Sequence, residues 1–316
     1  MVNVFHHQQN YEKPKMEKHV LITGATGMIG KALIQVLLKK NYTISILSTH
    51  PRFIPNVQVF KWEPHKQLID SSCFNGVNAI IHLAGENIAK GKWTDSRKQE
   101  IIDSRVLSTQ LLYNTLKKAA HTVGRVVSAS ATGFYGDRGG EILTETSGNG
   151  NGFLADCCMK WESAVDSGEA LGLSIVKLRT GVILAEKEGA LPAMAKPVQW
   201  FAGAPLGSGK QWVPWIHLQD MVNMYVYALE NTFTGTFNAC APYPVTNKTL
   251  TNAIAKTLGR PVWPFSVPAK LIKLILGEMA VVALMSTNTS AQKILDAGFT
   301  FKFTQLPEAL SDIYAS

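Results

Sequence analysis

In the segment TGATGMIG, Gly24, Gly27 and Gly30 recur at intervals of three residues. That spacing suits a phosphate cradle. Gly24 allows a tight turn, Gly27 lets the backbone approach a pyrophosphate, and Gly30 lets a helix pack close to a strand. The stretch Gly24, Ala25, Thr26, Gly27, Met28, Ile29 and Gly30 then turns free N–H groups toward the anion. A second cluster, GFLADCCMKWESA, sets Cys157 and Cys158 beside Asp156, Lys160 and Glu162. Vicinal thiols near a lysine invite a redox or nucleophilic reading. Cys158 and Lys160 are two residues apart, however, and do not share a helix face. The plainer reading makes Cys158 a small packing residue and Asp156–Lys160 a solvated pair.

The elements around the glycines decide their meaning. His19–Thr23 reads as a short apolar strand, and the helix after the glycines runs to about Lys40. Ile29, Leu33, Val36 and Leu37 form its apolar face, and a second strand follows at Tyr42–Leu47. Strand, glycine turn, helix and strand together predict a dinucleotide site. The second strand ends in Ser48, Thr49 and His50, with Arg52 close behind. No carboxylate stands there to hold a ribose 2′-hydroxyl or repel a 2′-phosphate, so NADP(H) is expected rather than NAD.

The alternation continues through predicted strands at Val57–Trp62, Ala79–Leu83, Arg125–Ser130 and Leu173–Leu178, with a long helical pattern at Thr94–Lys118. This predicts an α/β fold of Rossmann type, a doubly wound parallel sheet with ligands at the strand carboxyl ends. Leu83, Ala84 and Gly85 in LAGEN, Ser128 in SASATGFYG and Arg179 in RTG all fall at such ends. From about Tyr243 the pattern changes to helices at Asn247–Leu258 and Pro268–Met285 and a short TFKF strand. The expected division is a flexible extension at 1–18, a nucleotide domain at 19–242, and a smaller substrate-side lobe at 243–316. Residues 1–15 are expected to be dispensable.

The 316 residues are 46% hydrophobic and 17% charged, enough to bury a sizeable core. The net charge of +8 is spread over scattered lysines. That argues for a basic protein favouring anionic small molecules rather than nucleic acid. The most apolar stretch, LIKLILGEMAVVALM, is 15 residues long and carries Lys273 and Glu278. A membrane span needs roughly 20, so no membrane partner is expected. The four cysteines show no metal spacing and predict reduced thiols in a cytoplasmic protein. The apolar C-terminal helix serves either a core or a dimer contact, so monomer and homodimer both stay open.

With these motifs in order, TGATGMIG, HLAGEN, SASATGFYG and WIHLQD, the sequence resembles the extended short-chain dehydrogenases/reductases of the NAD-dependent epimerase/dehydratase superfamily. More narrowly it is similar to the atypical "epimerase family protein" subgroup. The segments that carry this are LAGENI, RKQEIIDSRV, YGDRG, FLA…C…WE and GSGKQWVPWIH, with the C-terminal ILDAGFTFKF. The likeness spans about Val20 to Leu310. It implies a serine after the fifth strand and Tyr-x-x-x-Lys on the next helix, the tyrosine acting as general acid/base. With Glu162 as the anchor of that motif, Leu154 takes the tyrosine position and Cys158 the lysine position. Shifting by one gives Phe153 and Cys157. Neither register restores the chemistry. Aligning Phe134 with the family's aromatic makes Ser130 the catalytic-position hydroxyl, and aligning Tyr135 makes that position Ala131.

Other polar groups are candidates for what the missing pair would have done. Glu100 and Arg105 lie on the helix that faces the cofactor in this fold. Tyr135 is a substitute proton donor. Glu86 sits at the pocket mouth, Lys210 offers a cation beside backbone N–H groups for an anion, and Trp212 and Trp215 offer stacking faces. Two functions remain open: an NADP(H)-dependent oxidoreductase or epimerase with a non-standard acid/base, or a catalytically silent nucleotide-binding sensor or assembly protein.

Overall fold

The computed structural model describes residues 18–315. The expectations for 1–15 and for most of the 1–18 extension lie outside the described residues. The first half runs β1 (His19–Thr23), α1 (Met28–Lys39), β2 (Thr43–Ser48), β3 (Gln58–Glu63), β4 (Leu68–Ile69), β5 (Ala79–His82), α2 (Asp95–Leu116) and β6 (Arg125–Ala131). After a 3-10 turn at Thr132–Tyr135 come β7 (Ile142–Leu143), α3 (Phe153–Asp166), β8 (Ser174–Thr180), β9 (Val182–Leu184) and α4 (Leu191–Gln199). Next are β10 (Trp212–Val213), β11 (Trp215–His217), α5 (Leu218–Glu230), β12 (Gly235–Ala239), β13 (Val245–Thr246) and α6 (Asn247–Thr257). The chain ends with α7 (Ala269–Leu276), α8 (Ala280–Leu284), β14 (Asn288–Thr289), α9 (Gln292–Asp296) and α10 (Leu306–Tyr314).

The main sheet has the order β12-β8-β6-β5-β1-β2-β3-β4 and is parallel except for the β3–β4 edge pair. The chain leaves β1 in one direction to β2 and returns on its other side at β5. A doubly wound sheet opens its ligand crevice at that reversal. The strands carry apolar residues on both faces because both are covered. Val20 and Ile22 pack with α1 and α5 through Leu33, Leu37, Met221 and Tyr225. Leu21 points the other way, into a layer with Leu111, Leu112, Trp161 and Val165 of α2 and α3.

A third core draws its members from distant parts of the second half of the chain. Leu184, Leu191 and Trp215 share it with Leu250, Ile254, Phe303 and Leu310. Two local expectations are corrected here. The TFKF segment forms no strand, because the Asp220 carboxylate accepts from the backbone N–H groups of Lys302 (2.8 Å) and Phe303 (2.9 Å). The helical pattern at Pro268–Met285 is broken at Gly277, whose φ of 58° ends α7 before α8 begins. Among the described residues no helix is long and apolar enough to cross a membrane.

Candidate functional site

A cleft of about 530 Å³ runs along the carboxyl ends of β1, β5, β6 and β8 and out to α8. Its inner end is the glycine turn. Gly24 has φ +67°, and a Cβ there would lie 2.7 Å from the Leu83 carbonyl. Gly30 touches the turn itself, since a Cβ would stand 2.5 Å from the Ala25 Cα. These two glycines bring α1 and the β5 end against β1. Gly27 differs: its φ of −77° is open to any residue, and a Cβ would meet only the Gly24 carbonyl oxygen at 3.4 Å. Gly27 caps α1 with no side-chain hydrogen bond, and the first turn carries no acid. The N-terminal N–H groups and the positive end of the helix are thus left to an anion. Met28, Ile29, Leu83 and Gly85 complete this end, with Ala25 buried behind it and Thr26 exposed.

The end of β1 is pinned from below. Thr23 Oγ1 accepts from the N–H groups of Leu83 and Ala84, both at 3.1 Å, and bonds His82 Nδ1 at 2.7 Å. Burial drives the His82 pKa down to about 4, so the ring is neutral at physiological pH. Ser48 ends β2 beside this turn and is half-buried, while Thr49, His50 and Arg52 are exposed. Ser48 Oγ accepts from the His50 N–H at 3.2 Å, and Thr49 Oγ1 bonds His50 Nδ1 at 3.0 Å.

The helix α3 forms one wall. Leu154, Cys158 and Trp161 recur at helical spacing and face the cleft, with Cys157 alongside. Across from them Gly133 is so close that a Cβ would lie 3.4 Å from Leu154 Cβ and 3.8 Å from Cys158 Sγ. Burial pushes the Cys158 thiol up to about 12, and it raises Cys157 too despite Arg105 and Lys160. Both thiols therefore stay protonated at neutral pH. Arg105 also lines the cleft. It donates to the carbonyls of Ile101 (2.8 Å) and Glu86 (3.2 Å) and lies 5.0 Å from the Trp161 ring centre.

Several predicted site residues take other places. On β6 the alternation of a strand puts Ala131 in the cleft lining and Ser130 on the opposite side. There Ser130 Oγ donates to Glu162 Oε1 at 2.6 Å. Arg179 grips the same carboxylate with two bonds of 2.8 and 2.9 Å and donates to the Tyr135 hydroxyl at 3.0 Å. Tyr135 donates onward to Asn238 Oδ1 at 2.7 Å and is 0% exposed. Burial acts to raise Glu162, but Arg179, Ser130 and Lys177 outweigh it and hold the carboxyl below its usual range. Burial raises Tyr135 to about 12. The expected acid/base pair, Ser130 and Tyr135, together with Arg179, thus forms a buried clamp fixing α3 to β6, β8 and β12. Ser128 is likewise buried and outside the lining.

Trp215 is 0% exposed and donates to the Tyr243 carbonyl at 3.0 Å, so it is core and not a stacking face. Lys210 is exposed beyond the lining, and Glu100 is exposed and paired with Arg97 at 2.6 Å. Glu86 and Trp212 do line the cleft. His217 caps α5, its Nδ1 accepting from the Gln219 N–H at 3.0 Å. The sequence reading missed Trp161, Thr180, Met194, Asn247, Val282 and Met285, all in the lining. Helical spacing from Leu154 and Cys158 was a signal for Trp161. The lobe residues had none, since they arrive from distant segments.

The family model described as the NAD dependent epimerase/dehydratase family matches residues 20–240. The chain belongs to that family. A second model, a domain of unknown function, matches residues 267–313. The epimerase family protein ML0860 of Mycobacterium leprae is 32% identical, covering 92% of this chain and 94% of that protein. The Arabidopsis thaliana chloroplastic homolog of epimerase family protein SDR39U1 is 34% identical over 93% of this chain and 86% of that protein. Human epimerase family protein SDR39U1, solved with NADPH, superposes with a TM-score of 0.82 at 27% identity, covering 94% of this chain and 99% of that one. Within this family the chain is an extended short-chain dehydrogenase/reductase, with Leu154, Cys158 and Ala131 in its cleft lining.

Proposed function

We propose that this chain binds NADP(H) along the inner cleft and acts as an NADP(H)-dependent oxidoreductase on a small molecule, without a Tyr-x-x-x-Lys pair. The observation that carries the reading is the uncapped α1 start at Gly27, closed in by Gly24 and Gly30 and continuous with a second, lobe-lined chamber. The α1 N–H groups hold the pyrophosphate. Ser48, Thr49 and Arg52, with no carboxylate among them, receive the 2′-phosphate. The NADPH held by human SDR39U1 supports this choice of cofactor. When bound, the cofactor supplies hydride chemistry.

The chain's own residues orient and exclude. Leu154 and Cys158 pack against Gly133 and give that point of the cleft an apolar wall. The hydroxyls of Thr132 and Thr180 and the protonated thiols of Cys157 and Cys158 are the groups there able to hold a proton. None matches a phenol paired with an ammonium, which contributes roughly 10²- to 10⁴-fold. The same absence supports a second reading, a nucleotide-binding sensor without turnover. The four described thiols are free and buried, which suits a reducing compartment such as the cytoplasm.

Titration calorimetry with NADPH and NADH tests the cofactor assignment. NADPH binds at least about tenfold more tightly, a difference of about 1.4 kcal/mol. Tighter NADH binding overturns the 2′-phosphate contact, and binding of neither overturns the site. Oxidation of bound NADPH by any member of a carbonyl panel separates enzyme from sensor.

A further inference from the structure

The outer chamber of the cleft lies between α3 and the C-terminal lobe. Leu154, Met194, Leu206, Trp212, Val282 and Met285 dominate its walls. Among the described residues, Glu86 and Arg105 are the only charged ones in the lining, and both stand at the Gly85 corner. Each is already engaged: Arg105 with two backbone carbonyls, and Glu86 with Arg97 at 3.1 Å. Lys210, two residues before Trp212, is exposed outside the lining. Its loop is no anion nest either. The N–H groups of Gly207, Gly209 and Lys210 bond the Val267 carbonyl (2.9 Å), the Leu206 carbonyl (2.9 Å) and Ser208 Oγ (3.2 Å). The Leu206 N–H is taken by Asn247 Oδ1 at 2.7 Å. A diphosphate in the outer chamber would therefore meet neither a cation nor a free row of donors. Burying unpaired charge against such walls is strongly unfavourable.

We infer that the outer chamber receives a neutral, largely apolar small molecule and excludes sugar nucleotides. The inference rests on the reading that NADP(H) occupies the inner half. Val282 is 48% exposed on the chamber wall, so a guest gains by covering it.

The test uses the full chain, first titrated with NADP⁺ by calorimetry and then saturated with it. The neutral fluorophore 1-aminoanthracene is added, followed by decan-2-one or UDP-glucose as competitors. Saturable dye fluorescence, displaced by decan-2-one and untouched by millimolar UDP-glucose, is expected. Val282→Glu and Met194→Glu each weaken dye binding about tenfold or more, with NADP⁺ affinity changed less than about twofold. Leu274→Glu changes neither, because Leu274 is 82% exposed and outside the cleft. Displacement by UDP-glucose overturns the inference, as does absence of a saturable dye signal. So does loss of dye binding in Leu274→Glu with none in the two cleft variants. Failure of NADP⁺ itself to bind, with dye binding intact, overturns the cofactor reading alone.

Discussion

Gly27→Val separates cofactor binding from folding, because the three glycines of the turn are constrained in different ways. A Cβ at Gly30 would sit 2.5 Å from the Ala25 Cα, and one at Gly24 would sit 2.7 Å from Leu83 backbone at a φ of +67°. Backbone must move in both cases, at a cost of about 1–3 kcal/mol for overpacking and about 1–2 kcal/mol more for the left-handed conformation at Gly24. Gly27 has an ordinary φ of −77° and a nearest contact of 3.4 Å, so valine fits the fold. Its only folding cost is a poorer helix cap, about 1 kcal/mol, or a Tm drop of about 2 °C for a chain of this size. The added side chain stands at the uncapped start of α1, where the anion is to bind. Losing two charge-assisted backbone bonds, about 1.5–3 kcal/mol each, weakens NADPH binding at least about 100-fold. Calorimetry and thermal unfolding of Gly27→Val, Gly30→Ala and wild type give the two axes. Wild-type Kd in Gly27→Val refutes the reasoning, and so does a Tm loss in that variant equal to that of Gly30→Ala.

Tyr135→Phe leaves Arg179 and Asn238 each short of a buried partner. It lowers unfolding free energy by about 1–3 kcal/mol in denaturant titration while NADPH affinity holds. Loss of NADPH affinity in a folded Tyr135→Phe protein would place the phenol in the cleft. Glu162→Gln breaks the buried pair with Arg179 and costs about 3–5 kcal/mol near neutral pH. Because the folded-state pKa of Glu162 lies below its ordinary 4.5, its stabilisation is full above that value and is lost as pH falls through the folded pKa. The gap between wild type and variant therefore narrows in acid-side unfolding curves, and a constant gap down to the folded pKa contradicts the pairing. Iodoacetamide at pH 8 leaves Cys157 and Cys158 unmodified by mass spectrometry in the native protein, since only thiolates react. Cys158→Ser keeps NADPH affinity within about twofold, and rapid native labelling of either thiol counts against their protonated state.

The sheet was legible because its signals are local. β1, β2 and β5 are short apolar runs, and the glycine turn follows the first directly, whereas β12, with the sequence GTFNA, carries no such signal. The family's motif, anchored at Glu162, also led to Leu154 and Cys158, both of which the structure places in the cleft. Choosing between Ser130 and Ala131 was not local. A shift of one residue reverses the face on a strand, and only the carboxylate of Glu162, 32 positions away, shows which side Ser130 takes. Tyr135 looked free because nothing near it in sequence announces Arg179 or Asn238. TFKF alternates like a strand, but its backbone donors go to Asp220, a partner no periodicity reveals. The lobe wall was illegible for the same reason: Val282 and Met285 matter through what they face.

The cleft is also divided in time. Everything from the glycine turn to Ile183 is translated about 100 residues before Val282, Ala283 and Met285. At roughly 5–20 residues per second, a ribosome needs about 5–20 s to supply that last wall. During this interval the nascent chain holds its inner cleft without the outer one, and Leu154, Met194 and Trp212 face water. An inner cleft that can already take a nucleotide would gain stability from it at once. The apolar side would stay open to chaperones or to premature association until α8 arrives.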